Sequence, residues 1–109
     1  MIRLLAISVA AFLLAAPASA LFDPPANCRA TPPASAYQLH HVSNVHTICR
    51  KMGMEARFLT TYAACTIRTA HNGKRYPKPL IFLPPKGAMM YRSLLRHELG
   101  HVVCPHWTG

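Results

Sequence analysis

Carboxylate is the scarcest chemistry in this sequence. Only Asp23, Glu55 and Glu98 stand against 12 lysines and arginines in 109 residues, a formal charge of +9. Reactions that need a pair of acids have almost nothing to draw on. Long apolar runs are missing as well: Leu4 to Ala16 falls short of the ~20 residues a membrane span requires, and nothing later approaches it. The chain is also too short for a TIM barrel, a doubly wound sheet or two domains, and it contains no internal repeat.

What is present begins with a leader. Met1-Ile2-Arg3, the apolar run Leu4 to Ala16 and the small-x-small site Ala18-Ser19-Ala20 have the three-part layout of a secretory signal peptide, residues 1–20. Cleavage there leaves residues 21–109, with a charge of +8 once Arg3 is gone. No cysteine follows the cut, so a lipid anchor is not indicated, and a periplasmic or secreted location is expected. Cys28, Cys49, Cys65 and Cys104 all fall in the mature part, an even number in an oxidising compartment. Two disulfides are the default, with three possible connectivities. Cys49–Cys65 is favoured, joining a helix to a strand, with Cys28–Cys104 tying the leader to the end of the last helix. Metal ligation and a free thiol are the other readings open to Cys104.

Residues 21–36, with Pro24-Pro25 and Pro32-Pro33, read as an extended Pro-rich leader, and 37–109 as a single domain. Between Tyr37 and Met54, Val42, Val45, Ile48, Cys49 and Met52 recur at 3–4 spacing, which predicts a short helix ending at Gly53. The composition of 57–69 predicts a strand, and Asn72-Gly73 a tight hairpin turn. Leu80-Ile81-Phe82-Leu83, bracketed by Pro79 and Pro84-Pro85, suits a short edge strand. A last helix is expected from Ala88 to Val103, stopped because Cys104 precedes a proline. The fold class is α+β.

The basic residues Arg50-Lys51, Lys74-Arg75 and Lys78 scatter through loops. Nucleic-acid binding needs a clustered footprint, so no nucleic-acid partner is expected. A positive field suits peptide substrates of acidic character or anionic envelope polymers, or simply keeps the chain in solution.

His97-Glu98-Leu99-Gly100-His101 is the informative segment. Helical residues four apart share a face, so both imidazoles can reach one ion. Glu98 stands at the flank, where it can take a proton from a water that the ion acidifies. This is the physical content of H-E-x-x-H, with two zinc-binding histidines and a general base. By chance the pattern arises in about one sequence in a hundred of this composition. The competing reading is a helix carrying two solvated histidines beside a Glu.

From Leu94 to His106 the chain resembles the zincin metallopeptidases, of a small exported bacterial type. The resemblance implies a disulfide-stapled zincin-like domain with a short helix, an antiparallel hairpin and edge strand, and an active-site helix near the C-terminus. It implies Zn2+ held by His97 and His101, and Glu98 as catalytic base. In zincins an edge strand before the active helix pairs with the substrate backbone, a place open to Leu80–Leu83. Glu- and Asp-ligand branches need an acid after Glu98, and there is none. The metzincin pattern H-E-x-x-H-x-x-G-x-x-H is also missed: the last histidine, His106, comes one residue early, and Cys104 stands in place of the glycine. His106 remains the leading third ligand, since Pro105 ends the helix and lets the chain fold back; an exposed histidine is the alternative. Tyr91, His71, His46 and Tyr76 are candidates to stabilise an oxyanion. His40-His41 could take a metal adventitiously, and Asp23 or Glu55 could orient a ligand histidine. The expected function is peptide-bond hydrolysis by an exported zinc peptidase. The alternative is a non-catalytic, disulfide-stapled envelope binding protein with a structural or vestigial metal.

Overall fold

The computed structural model describes residues 23–55 and 61–109. The expected signal peptide and its cleavage position lie outside the described residues, as do residues 57–60 of the expected 57–69 strand; residues 61–64 are not strand, which begins at Cys65. Among the described residues the body is a small α+β unit of two α-helices and a three-stranded sheet. Its elements are β1 (Gln38–His41), α1 (Val45–Lys51), β2 (Cys65–Thr69), β3 (Arg75–Leu83) and α2 (Tyr91–Val103). Among the described residues no helix is long and apolar enough to cross a membrane.

The sheet order is β1-β3-β2, with β1 parallel and β2 antiparallel to β3. Leu80–Leu83 is therefore the centre of the sheet, not its edge. Its run of consecutive apolar residues is what a strand covered on both faces requires. Side chains alternate across a strand: Phe82 joins Val45 and Cys49 in the cluster under α1, while Ile81 and Leu83 pack with Leu94 of α2 on the other face. The flanking Pro79 and Pro84-Pro85 point to an edge, yet Pro79, like Pro77, falls between Arg75 and Leu80, where the β2 ladder is irregular and the β1 ladder has not begun, and Pro84-Pro85 follows the end of the strand at Leu83. A missing N–H removes no ladder bond there.

A tight hairpin turn forms at Asn72-Gly73 as expected, but only Gly73 takes positive φ, at +84°, and the loop spans 71–73 rather than two residues: Ala70 N–H donates to Lys74 O, Gly73 N–H to Ala70 O, and Lys74 N–H to Asn72 Oδ1. The helix expected after Tyr37 is confined to Val45–Lys51, and Gly53 follows it at φ +108°. Gln38–His41, within the same segment, is instead a strand. Its backbone groups pair with the central strand, an outlet that helical spacing cannot reveal. Helix α2 begins at Tyr91 rather than Ala88, because Pro84–Met90 is taken up by turns and Met90 sits at φ +63°. It stops at Val103, ahead of the Cys104-Pro105 pair.

The bridges are Cys49–Cys65 and Cys28–Cys104, the pairing favoured from sequence. The first fixes α1 to the sheet; the second fixes the leader to the residue that ends α2. The leader is not simply extended. It forms 3₁₀ turns at Ala26–Cys28 and Ala34–Ala36, buries Pro24 completely, and pairs Asp23 with Arg96 at 2.9 Å.

Candidate functional site

Strand periodicity and helix periodicity meet between β2 and α2. On β2, Cys65 and Ile67 face α1, so Thr66 and Arg68 face α2. On α2, His97, Glu98 and His101 line the same cleft of about 430 Å3 as Thr66, Arg68 and Tyr62. The edge strand beside the motif is thus β2, not Leu80–Leu83.

The two imidazoles converge, with His97 Nε2 3.3 Å from His101 Nε2. Nitrogens held ~2.0–2.1 Å from one tetrahedral zinc stand ~3.3–3.4 Å apart, so this spacing fits a shared ion. His101 is oriented from behind: its Nδ1–H donates to Trp107 O at 3.1 Å, which leaves Nε2 as the lone-pair nitrogen. The Trp107 ring stacks on His101 at 4.6 Å and stands 4.8 Å from His97. Burial lowers the His101 pKa, and the nearby His97 lowers it further. Both effects favour the neutral form that can ligate a metal.

Glu98 is more deeply placed than its flank position suggested, at 5% exposed. Its Oε2 is 4.0 Å from His97 Nε2, and its Oε1 accepts a hydrogen bond from Thr66 Oγ1 at 2.8 Å. Burial raises its pKa, with the Thr66 hydroxyl and His97 pulling the other way. A carboxylate raised towards neutrality is better matched to proton abstraction than a solvated one. Arg68 Nη2 donates to His101 O at 2.9 Å and Val102 O at 3.3 Å, satisfying carbonyls at the end of α2 and fixing the helix against β2.

The structure brings together His97, Glu98 and His101. His106 is exposed on the turn between Pro105, which borders the cleft, and Trp107; it is not among the lining residues. Among the described residues no group of three His, Cys, Asp or Glu side chains is assembled to hold a metal. Cys104 is committed to its disulfide. The oxyanion candidates lie elsewhere. Tyr91 bonds His41 at 2.7 Å, His46 accepts from Tyr62 N–H, His71 contacts Lys51 O, and Tyr76 packs against the cluster under α1. His40 stacks on Phe82, Asp23 is engaged by Arg96, and the Glu55 carbonyl accepts from Tyr62. Sequence reasoning missed Thr66, Arg68 and Trp107. The first two carried a signal in the strand period of Cys65–Thr69; Trp107 carried none beyond being the sole tryptophan. No protein-family model, characterised protein or solved structure matches this chain.

Proposed function

We propose that this chain is an exported, zinc-dependent peptidase-like domain. His97 and His101 hold the ion and Glu98 acts as general base. The observation that carries the reading is the 3.3 Å approach of two Nε2 atoms beside a buried carboxylate. When bound, such an ion supplies Lewis acidity, acidifying a water and polarising a peptide carbonyl. The chain's own residues supply the rest. Trp107 O keeps the His101 proton on Nδ1, Thr66 holds one Glu98 oxygen, and the other oxygen is available to take a proton and pass it to the leaving amine. His106, the third ligand expected from sequence, is exposed on the turn that follows α2 and outside the cleft, so it would reach the ion only if that turn folded inward. Two disulfides are compatible with a periplasmic or secreted location.

Metal analysis of the oxidised protein tests the proposal. One equivalent of zinc is expected, lost in His97→Ala or His101→Ala and held more weakly in His106→Ala. Glu98→Gln should retain zinc and lose hydrolysis. Absence of stoichiometric zinc sinks the reading. A non-catalytic envelope binding protein with a structural metal is the second reading, favoured by the lack of a third assembled ligand among the described residues. Bound zinc with no exchangeable water would select it.

A further inference from the structure

A second concavity, of about 410 Å3, lies between the leader and α2. Its charged residues are separate from those lining the His97–His101 cleft. Arg92 and Arg96 stand one turn apart on α2, and Arg29 faces them from the leader; Leu95, Leu99 and Cys28 add an apolar surface. The leader wall is held in place by the Cys28–Cys104 bridge, by buried Pro24, and by Arg29 Nε donating to Pro24 O at 2.7 Å.

The charges in this groove do not balance. Asp23 is its one acid and is engaged by Arg96 at 2.9 Å. Among the described residues that line it, three guanidinium groups against one carboxylate leave a surplus of two positive charges. Like charges at i and i+4 destabilise a helix rather than support it, and an exposed ion pair offsets little of that. Tethering of the leader accounts for Arg29, through Pro24 O, and for Arg96, through Asp23, but not for placing Arg92 one turn from Arg96 in the same groove. The groove's composition fits a ligand: the arginine fork matches paired anionic oxygens, and about 400 Å3 is in the range of small-molecule sites. A phosphate monoester carries about −1.5 to −2 at neutral pH, which balances the surplus where a single carboxylate does not.

We propose that this groove binds a phosphate monoester carried on an apolar stem. The phosphate lies on the Arg29 and Arg92 forks, with Arg96 beside it, and the stem lies along Leu95 and Leu99. The site is independent of the metal reading above. Two sources share this chemistry, a soluble alkyl or aryl phosphate and the headgroup of a phosphomonoester lipid.

Calorimetric titration of the oxidised protein with hexyl phosphate tests this, in excess chelator so that no metal bridges the phosphate. Saturable one-to-one binding is expected, at least about tenfold tighter than for inorganic phosphate or hexanol. Arg92→Ala and Arg29→Ala should each weaken it about fivefold or more, and added salt should weaken it further. His97→Ala should leave it unchanged, which separates this result from any failure of the zinc reading. Flotation with vesicles containing phosphatidic acid, against vesicles of equal charge containing phosphatidylglycerol, assigns the source. Arginine-dependent preference for phosphatidic acid identifies a lipid; hexyl phosphate binding without that preference identifies a soluble ligand. No saturable binding up to about 5 mM, equal binding of inorganic phosphate, or unchanged affinity in both arginine variants would overturn the proposal.

Discussion

Gly100→Ala sets two effects of known sign against each other. Gly100 is buried inside α2, between the two motif histidines. Replacing an interior helical glycine by alanine normally stabilises by about 0.8–1.0 kcal/mol. Here a Cβ would stand 2.7 Å from Pro24 Cβ, 2.8 Å from Pro24 Cγ and 2.8 Å from Trp107 Cζ3. All are closer than real Cβ contacts come, and neither neighbour is the far end of a flexible chain. Pro24 is a rigid ring with no room to retreat, and Trp107 is held by its contacts with His101. Forcing a methyl into such a site costs about 1–3 kcal/mol, and displacing the buried Pro24 adds lost apolar burial. Packing wins, for a net loss of about 1–2 kcal/mol. In a domain of this size each kcal/mol moves Tm by about 4–8 °C, so thermal unfolding followed by circular dichroism should show a fall of roughly 5–15 °C. Gly87→Ala is the control, since nothing lies within 4 Å of a Cβ there, and it should be neutral or slightly stabilising. A Gly100→Ala protein melting at or above the wild-type temperature would refute the close approach of leader and tail to α2.

Thr66→Val removes the donor to buried Glu98 Oε1 and should cost about 1–3 kcal/mol in urea unfolding. Thr66→Ser keeps the hydroxyl and should recover most of that; a Thr66→Val protein as stable as wild type would show that the hydroxyl bond to Glu98 contributes nothing. In chelator-treated protein, the raised Glu98 pKa contributes stability that is complete below its unfolded value of 4.5 and lost as pH rises through the folded value. The depressed His101 pKa has the opposite sign, with stability complete above 6.5 and lost as pH falls through the folded value. Glu98→Gln should therefore gain stability over wild type near pH 7, and the difference should close near pH 4; a difference independent of pH would show that burial does not govern this carboxyl. Replacing the Cys28–Cys104 pair by alanines removes a loop closed over a separation of 76 residues, about 4.5 kcal/mol by chain entropy, against about 3 kcal/mol for the 16-residue separation of Cys49–Cys65. Guanidinium midpoints should follow that order, and a reversed order would show that packing around Cys49–Cys65 outweighs loop length.

The elements legible in the sequence were those whose signals are local. Asn72-Gly73 encodes its own turn, the Cys104-Pro105 pair encodes the end of α2, and the i, i+4 spacing of His97 and His101 brings two nitrogens to one point whatever surrounds the helix. What escaped was set by pairing across the chain. Gln38–His41 is a strand because β3 offers it a parallel partner about forty residues later. Leu80–Leu83 is central because partners exist on both sides; its apolar run suits that place but does not reveal which strands will pair with it. Burial of Glu98 was equally invisible, since it follows from Thr66 of β2 closing over a helix flank that looked open.

The leader's attachment to α2 also has a consequence for the expected order of folding. Pro24, Asp23 and Cys28 find their partners at Gly100, Arg96 and Cys104, so the first described residues to be synthesised have nothing to dock on until the last helix exists. The sheet and α1 can close earlier, over the shorter loops of β2–β3 and Cys49–Cys65, whereas the long loop carries the larger entropic barrier. By loop length alone, the earliest segment of the body is expected to settle last. Until it does, α2 lacks the cover that holds its outer face.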